Sequence, residues 1–345
     1  MQIFSQSLYF ATKAFIKEIK EKVEELVQEN LEDCTVFVHD IIKNNNVRMR
    51  AISIERKNDR ATPNIYLNDY YSQFKKGRNI DDISKEIFEV YLDSSKGLIN
   101  EVNINDLRNF SKVKKRIFYK LVNYNMNREM LKTTPHVRVL DLAIVFYILV
   151  SYREGAQAVT MIRDGNIKEW GIDLSRLCVT AYENTWTKYP PVIRRMEDII
   201  SEMILDSIVG DERDEDNDDG DLIKEETCYG GYTYAQVEDM VKEEMEKVKL
   251  DRNMEMYVMT NEDKSNGAAC ILYPGVLKKF ADKVGQDIYI IPSSIHEVIL
   301  IPAMGWDTKE IDEMIREVNR TQLDPVEILS DHVYVYKRET EELGY

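Results

Sequence analysis

Apolar residues recur at helical spacing near the start of the chain. Phe15, Ile19 and Val23 share one face of the helix that this spacing predicts over residues 8–31. The polar residues 44–46 then separate runs at 35–38 and 47–54 that are rich in β-branched residues, which predicts a β-hairpin. The same patterns predict further helices at 69–76, 81–93, 104–131, 174–187, 191–208, 233–249 and 307–319. They predict further strands at 64–67, 142–151, 157–163, 255–260, 268–273, 287–292, 296–301 and 332–337.

Three passages of the chain share one order of predicted elements. Each has a strand, a polar turn, a second strand and a short helix, and they end at Gly77, Gly171 and Gly285. Glycine suits a helix end that needs a left-handed residue. Either the chain contains three diverged helix–hairpin–helix units, or a common arrangement occurs three times independently. In both cases the pattern predicts a helix-rich α+β fold with antiparallel sheets.

An acidic run divides the second half of the chain. Residues 211–221 read DERDEDNDDGD, which accounts for −7 of the formal net charge of −16. Such a run cannot bury apolar surface, so we expect a solvated linker. The predicted domain organisation is an N-terminal unit at 1–98, a middle unit at 99–208, an acidic linker or insertion at 209–232 and a C-terminal unit at 233–345.

Composition narrows the class of protein. The chain has 345 residues, of which 43% are apolar and 31% charged, as in ordinary globular proteins. The four cysteines are far apart and form no C-x-x-C pair. The most apolar run, Leu142 to Val150, is less than half the roughly 20 residues that a membrane span needs. These features predict a cytoplasmic protein without a membrane segment.

The familiar catalytic and nucleotide-binding motifs do not occur in the sequence. There is no G-x-G-x-x-G, P-loop, H-E-x-x-H or G-x-S-x-G sequence, so no cofactor is predicted. The leading hypothesis is therefore a non-enzymatic interaction or regulatory protein with a protein partner. The apolar runs at 288–291 and 298–301 predict central strands, and an edge strand beside them is a place where a partner strand can add. The sequence does not identify that edge.

A second hypothesis is a hydrolase or transferase with its site in the C-terminal unit. Ser293, Ser294, His296 and Glu297 crowd one tight turn, and a thiolate–imidazolium pair forms if Cys270 faces His296. Neighbouring side chains on a strand point to opposite faces, so Glu297 is poorly placed to orient His296. The alternative is structural, with serines that hold the turn backbone and a half-buried histidine.

A calcium loop is a further alternative within the acidic run. Glu215, Asn217, Asp219 and Glu226 occupy positions 1, 3, 5 and 12 of an EF-hand-like pattern, with Gly220 at position 6. Position 1 is a glutamate where the pattern requires aspartate, and the glycines at 230–231 interrupt the exit helix. A plain linker explains the same residues.

The predicted helix at 107–132 is strongly basic. The candidates for binding nucleic acid or phosphate are Lys112, Lys114, Lys115, Arg116 and Lys120. The alternative is an amphipathic helix with a solvated basic face. The acidic balance of the whole chain opposes sequence-independent nucleic-acid binding.

Several stretches resemble an uncharacterised bacterial family, a domain of unknown function common in gut-type clostridia. They include LDLAIVFYILV in the middle of the chain, and NGAACILYPG and PSSIHEVIL near its end. IREVNRTQLDPVEILSDHVYVY and NIYLNDYYSQFKKGRNIDDISKEIF are similar to the ending and the N-terminal part of that family. The acidic segment at 209–232 looks like a variable insertion. The resemblance implies no activity, cofactor or catalytic residue, and it implies an association with mobile genetic elements.

Overall fold

The computed structural model describes residues 2–57, 62–97, 104–153, 156–210, 240–242 and 255–345. The chain divides into two compact units, Met1–Thr185 and Trp186–Tyr345. Both units combine helices with antiparallel sheets, which confirms the predicted α+β class.

The N-terminal unit contains two sheets and most of the helices that the structure describes. Its helices are α1 (Gln2–Asn30), α2 (Leu67–Lys75), α3 (Ile80–Gly97), α4 (Phe110–Val113), α5 (Arg128–Leu131), α6 (Asp164–Trp170) and α7 (Leu174–Lys188), the last of which crosses the boundary between the units. Its strands are β1 (Cys34–Ile42), β2 (Arg48–Arg56), β3 (Ile65–Tyr66), β4 (Ile117–Asn123), β5 (His136–Val139), β6 (Leu142–Arg153) and β7 (Ala156–Met161).

The C-terminal unit is built on one large sheet. Its strands are β8 (Pro191–Arg195), β9 (Tyr257–Asn261), β10 (Ile288–Pro292), β11 (Val298–Pro302), β12 (Tyr334–Lys337) and β13 (Glu342–Gly344). Its helices include α8 (Met196–Gly210), α9 (Val276–Val284) and α10 (Thr308–Thr321), and residues 240–242 are also helical. Short 3-10 helices lie at Asn44–Asn46, Ile104–Arg108, Lys114–Arg116 and Gly267–Leu272 across both units.

The first sheet has the order β1-β2-β3, and α1 packs against it. The predicted apolar face of α1 is confirmed, because Phe15, Ile19 and Val23 are buried in the same core as Ile52 and Ile54 of β2. The side chains that alternate with this core on β1 and β2 face away from α1. On that opposite face Phe37 is exposed but Ala51 and Ser53 are buried, so burial alternates along β1 and not along β2.

The second sheet corrects the predicted helix at 104–131. Residues 110–113 are helical, but Ile117–Asn123 is strand β4, which pairs with β6 along its whole length. Six of the seven β4 residues are buried and Lys120 is partly buried. A strand buried on both faces shows a continuous apolar run, so its sequence lacks the alternation that separates strand from helix.

The large sheet has the order β13-β12-β10-β11-β9-β8, so β8 and β13 are its edges. Tyr289, Ile301 and Val335 form one packed face together with α10, while Tyr257 of β9 contacts Phe280 of α9 on the other face. The central strands predicted at 287–292 and 296–301 are confirmed as β10 and β11.

Two predicted elements of the C-terminal unit are wrong. The predicted helix at 191–208 begins only at Met196, because Pro191–Arg195 pairs with β9 as strand β8. The predicted strand at 268–273 is a 3-10 helix from Gly267 to Leu272. The third passage of the repeated pattern therefore lacks a hairpin. Its closing glycine, Gly285, does adopt the left-handed conformation with φ of 75°.

The four-segment domain organisation stays a prediction. Strand β8 falls in the predicted middle segment but pairs with β9 of the C-terminal sheet. The predicted linker at 211–221 and most of the predicted helix at 233–249 lie outside the described residues.

Candidate functional site

The turn between β10 and β11 holds the serines of the predicted catalytic cluster in structural roles. Ser294 Oγ accepts a hydrogen bond from the His296 amide at 2.9 Å, and the Ser294 amide donates to the Glu297 carbonyl at 3.1 Å. Ser293 Oγ donates to Glu297 Oε1 at 3.4 Å. These bonds satisfy polar groups of the turn itself, as the structural interpretation predicts.

The imidazole of His296 is oriented by groups outside its own turn. Nδ1 accepts a hydrogen bond from the Asn266 amide at 3.2 Å, and Nε2 lies 3.8 Å from Glu327 Oε1. The His296 carbonyl accepts a hydrogen bond from Thr260 Oγ1 at 2.8 Å. The carboxylate closest to this ring therefore comes from the segment before β12, where no local pattern in the sequence marks it.

Cys270 lies in an environment that disfavours a thiolate. Its side chain is fully buried in the 3-10 helix, and its Sγ donates to the Thr260 carbonyl at 3.3 Å. Burial raises the pKa of the thiol to about 12. Reactive cysteines lie in exposed, electropositive surroundings with a lowered pKa, which is the opposite arrangement. Catalysis by this cluster stays a prediction, and the burial of Cys270 opposes it.

The five basic candidates do not form one helical face. Lys112 pairs with Asp106 at 2.5 Å, and Arg116 donates to the Leu149 carbonyl at 3.4 Å. Lys114 and Lys115 are exposed on a 3-10 helix, whereas Lys120 is partly buried in β4. These residues therefore lie on a helix, a 3-10 helix and a strand in place of the single predicted helix, and binding of nucleic acid or phosphate by them stays a prediction.

The calcium candidates Glu215, Asn217, Asp219 and Glu226 all lie outside the described residues. Within the ranges that the structure describes, no group of three or more His, Cys, Asp or Glu side chains is arranged to hold a metal ion.

A groove of about 560 Å³ runs between edge strand β8 and helix α9 in the C-terminal unit. On the strand side it is lined by Pro191, Ile193 and Arg195, whose side chains alternate onto the same face of the sheet. Tyr257 and the buried ring of Phe280, with centroids 4.9 Å apart in an edge-to-face contact, form its apolar part. The groove thus combines an apolar surface with a strand edge.

The charge of the groove is mainly positive. Lys279 and Lys283, one turn apart on α9, are exposed and line it together with Arg195. Arg195 pairs with Glu197 at 2.8 Å, and Asp198 is the acidic residue among the lining side chains. Neither lysine has a carboxylate within 4.0 Å in the described part of the chain. We therefore expect the groove to attract acidic groups.

The hydrogen-bond register determines which backbone groups of β8 face away from β9. The Met196 amide donates to the Met256 carbonyl at 2.9 Å, and the Glu262 amide donates to the Pro190 carbonyl. Even-numbered residues of β8 therefore bond to β9, and odd-numbered residues direct their amides and carbonyls outward. The outward groups include the Ile193 and Arg195 amides, which have no backbone partner among the described residues.

Sequence reasoning missed this groove. It interpreted Pro191 as the first residue of a helix, although two prolines followed by a short apolar run are also typical of an edge strand. Lys279 and Lys283 line this groove because strand β8 lies opposite them, which the sequence does not show.

A protein-family model matches residues 12–338 of the chain. The matching family model is DUF5688, described as a family of unknown function. The chain belongs to the DUF5688 family. This confirms the resemblance to a domain-of-unknown-function family. No curated protein and no solved structure matches the chain.

The DUF5688 match includes both units of the structure, the turn at His296 and the groove beside β8. Across the described segments of this family member, no helix is both long and apolar enough to cross a membrane.

Proposed function

We propose that this DUF5688 protein is a cytoplasmic interaction protein that binds an extended, acidic segment of a partner protein along strand β8. The observation that carries the proposal is the outward row of backbone groups on β8 beside the basic groove. A peptide that adds to a sheet edge gains affinity from main-chain hydrogen bonds and specificity from alternate side chains.

Four groups of β8 are available to an added strand. They are the Ile193 amide and carbonyl, the Arg195 amide and the Pro191 carbonyl, all directed away from β9 by the register. Pro191 has no amide hydrogen, so the added strand binds its carbonyl alone. An antiparallel partner strand forms two hydrogen bonds with Ile193, one with the Arg195 amide and one with the Pro191 carbonyl.

The contrast with β4 supports the choice of edge. The outward Tyr119 amide of β4 donates to Thr185 Oγ1 at 3.0 Å, and the Ile117 carbonyl accepts from Asn184 Nδ2 at 2.8 Å. Side chains of α7 thereby occupy the edge of β4. Protein edges that are not for binding are commonly covered in this way.

Side-chain positions in the groove define the chemistry of the partner. The partner residue opposite Ile193 faces the apolar surface at Val276 and Phe280, so we expect an apolar residue there. The residue opposite Arg195, two positions away, points to the same face as the cations. We therefore expect the motif apolar–x–acidic, and a further acidic residue that reaches Lys279 or Lys283.

Random octapeptides displayed on phage test the proposal against the full-length chain. We expect enrichment of the apolar–x–acidic motif on the wild type. Ile193→Pro removes the outward amide but leaves the β8–β9 bonds intact, because that amide does not face β9. We expect this variant to bind an enriched synthetic peptide about tenfold or more weakly than the wild type, which corresponds to a loss of about 1.4 kcal/mol of binding free energy.

Ile193→Val is the matched control, because it keeps both the amide and a branched apolar side chain. We expect it to bind within about threefold of the wild type. Hydrogen exchange of β9 verifies that each variant keeps the sheet. Equal binding by Ile193→Pro and the wild type, or no enriched motif at all, contradicts strand addition at β8. The association with mobile elements that the resemblance implies makes proteins of such elements the first natural partners to examine.

A further inference from the structure

A cavity of about 820 Å³ lies mainly on the face of the first sheet that points away from α1. Phe37 of β1 lines it together with Thr35 and His39, because side chains two positions apart on a strand share one face. The Phe37 ring is 44% exposed, whereas Ser53, which lies opposite it on β2, is buried. The cavity thus has an exposed aromatic ring in its wall and is of a size that small-molecule ligands occupy.

Hydrogen bonds fix the polar side of this cavity. Asn64, directly before β3, accepts a hydrogen bond from Ser53 Oγ at 2.9 Å through its Oδ1 atom. His39 Nε2 lies 3.0 Å from the same oxygen. Asn64 Nδ2 has no hydrogen-bond partner in the part of the chain that the structure describes, so it is available to a ligand as a donor. These side chains are held in place before a ligand arrives, which lowers the ordering cost of binding.

The open end of the β1–β2 hairpin adds charged groups of both signs. Arg56 and Lys57 line the cavity together with Asp33 and Glu55. The Lys57 amide donates to the Asp33 carbonyl at 3.0 Å, which joins the start of β1 to the end of β2. Neither Arg56 nor Lys57 has a carboxylate oxygen within 4.0 Å among the described residues. The two cations can therefore bind an anionic group, and the two carboxylates can accept hydrogen bonds from hydroxyl or amino groups.

This combination of groups selects one class of ligand. A simple anion is attracted by the cations but repelled by Asp33 and Glu55, and it gains nothing from an aromatic ring. A nucleotide has a planar base for Phe37 and a phosphate for Arg56 and Lys57, and its hydroxyl and amino groups suit the carboxylates. The register separates Phe37 from Arg56 by three residue positions, roughly 10 Å along the strand. This span is comparable to that between the base and the phosphate of a nucleotide.

We propose that the cavity binds a single nucleotide, with its base against Phe37 and its phosphate at Arg56 and Lys57. The formal net charge of −16 opposes binding of a long polyanion, so a free nucleotide fits the chain better than a nucleic-acid strand does. Stacking on an aromatic side chain accepts every base, because every base has a π-face. The site lies in the N-terminal unit and is independent of the β8 groove.

Alkylation of Cys34 tests the proposal on the native full-length protein. Cys34 lines the cavity and is partly buried, whereas Cys178 of α7 is partly buried outside it and is the internal control. The probes are the 5′-monophosphates of adenosine, guanosine, cytidine and uridine, with ribose 5-phosphate at equal ionic strength as the reference. Above about twice its dissociation constant, we expect at least one nucleotide to slow iodoacetamide alkylation of Cys34 by about threefold or more. We expect the rate at Cys178 to stay unchanged.

Variants at Phe37 and Arg56 test the two ends of the site by isothermal titration calorimetry. Phe37→Leu keeps an apolar side chain but removes the ring, so we expect it to weaken binding by about tenfold or more. Phe37→Tyr keeps the ring and is the matched control, with binding within about threefold of the wild type. Arg56→Gln should weaken binding of the nucleotide but not of its nucleoside, because only the nucleotide carries a phosphate.

Four outcomes contradict the nucleotide site. Equal protection of Cys34 by ribose 5-phosphate, or no protection by any of the four nucleotides, overturns it. Unchanged affinity in Phe37→Leu overturns the placement of the base. A single-stranded oligonucleotide that binds more tightly than every mononucleotide overturns the choice of a free nucleotide.

Discussion

Replacement of Gly267 by alanine is the sharpest test of how the C-terminal unit is packed. Gly267 begins the 3-10 helix that lies across the end of β9. A Cβ built on it meets Thr260 Oγ1, comes 2.5 Å from the His296 carbonyl oxygen and 2.7 Å from the Asn261 amide nitrogen. Two of these neighbours are backbone atoms, so a side-chain rotation cannot relieve the contact.

The expected cost follows from these contacts. Overpacking of a tight interior site costs about 1–3 kcal/mol. Displacement of Thr260 Oγ1 also breaks its 2.8 Å hydrogen bond to the His296 carbonyl, which adds about 1 kcal/mol. We expect Gly267→Ala to lower the free energy of unfolding of this unit by about 2–4 kcal/mol. At about 2–4 °C per kcal/mol, the melting temperature falls by roughly 5–15 °C.

Gly165→Ala is the matched control. Gly165 lies in helix α6, and a Cβ added there meets no atom within 4 Å. Alanine is the better helix former, so we expect a change within about 0.5 kcal/mol, on the stabilising side.

Urea unfolding followed by tryptophan fluorescence measures both variants. Trp306 reports on the C-terminal unit, because its ring stacks on Tyr289 with centroids 6.1 Å apart. Hydrogen exchange of peptides from β9 and β11 reports on the C-terminal unit alone. This local readout is needed because a single unfolding transition need not describe both units. If Gly267→Ala lowers the free energy of unfolding by less than about 0.5 kcal/mol, the close approach of the 3-10 helix to β9 is refuted.

Two further predictions concern titratable groups. At pH 8, burial leaves roughly one Cys270 thiol in ten thousand ionised. Iodoacetamide should therefore alkylate Cys270 only after unfolding, whereas the partly buried Cys34 of β1 reacts first. Full alkylation of Cys270 in the native protein, measured by mass spectrometry, would support the nucleophile hypothesis again. The Lys337 hydrogen bond, and then the Arg338 amide, lower the pKa of Asp287. The stability that this carboxylate contributes is therefore present above its unfolded pKa and is lost as the pH falls through its folded pKa. Asp287→Asn should flatten the fall in urea midpoint below pH 4, and curves that stay parallel to the wild type contradict the ion pair.

Local patterns were sufficient where one face of an element is buried and the other is solvated. The helix that carries Phe15 and Ile19 and the helix that begins at Thr308 each bury one face, and both are confirmed. The hairpin around residues 44–46, which its polar turn predicts, is also confirmed. Asp173, which precedes helix α7, accepts a hydrogen bond from the Arg176 amide at 2.7 Å, and aspartate is a common residue at this position before a helix. In these elements, the residues of one segment are sufficient to predict its secondary structure.

The patterns failed where the environment comes from distant segments. Ile117–Asn123 is apolar on both faces because β6 and its neighbours surround it, so it was mistaken for a helix. Pro191–Arg195 became a strand because β9 lies beside it. Gly267 begins a 3-10 helix and lies close to the backbone of residues 261 and 296, a contact that its sequence neighbours do not predict.

The candidate sites divide in the same way. The sequence by itself determined the α+β class, the family and the polar turn around His296, because these depend on residue types and local spacing. Only the tertiary structure decided that Cys270 is a buried thiol and that β8 is an edge strand beside Lys279. Burial, edge position and charge proximity are properties of contacts between segments far apart in the chain, and one-dimensional spacing does not contain them.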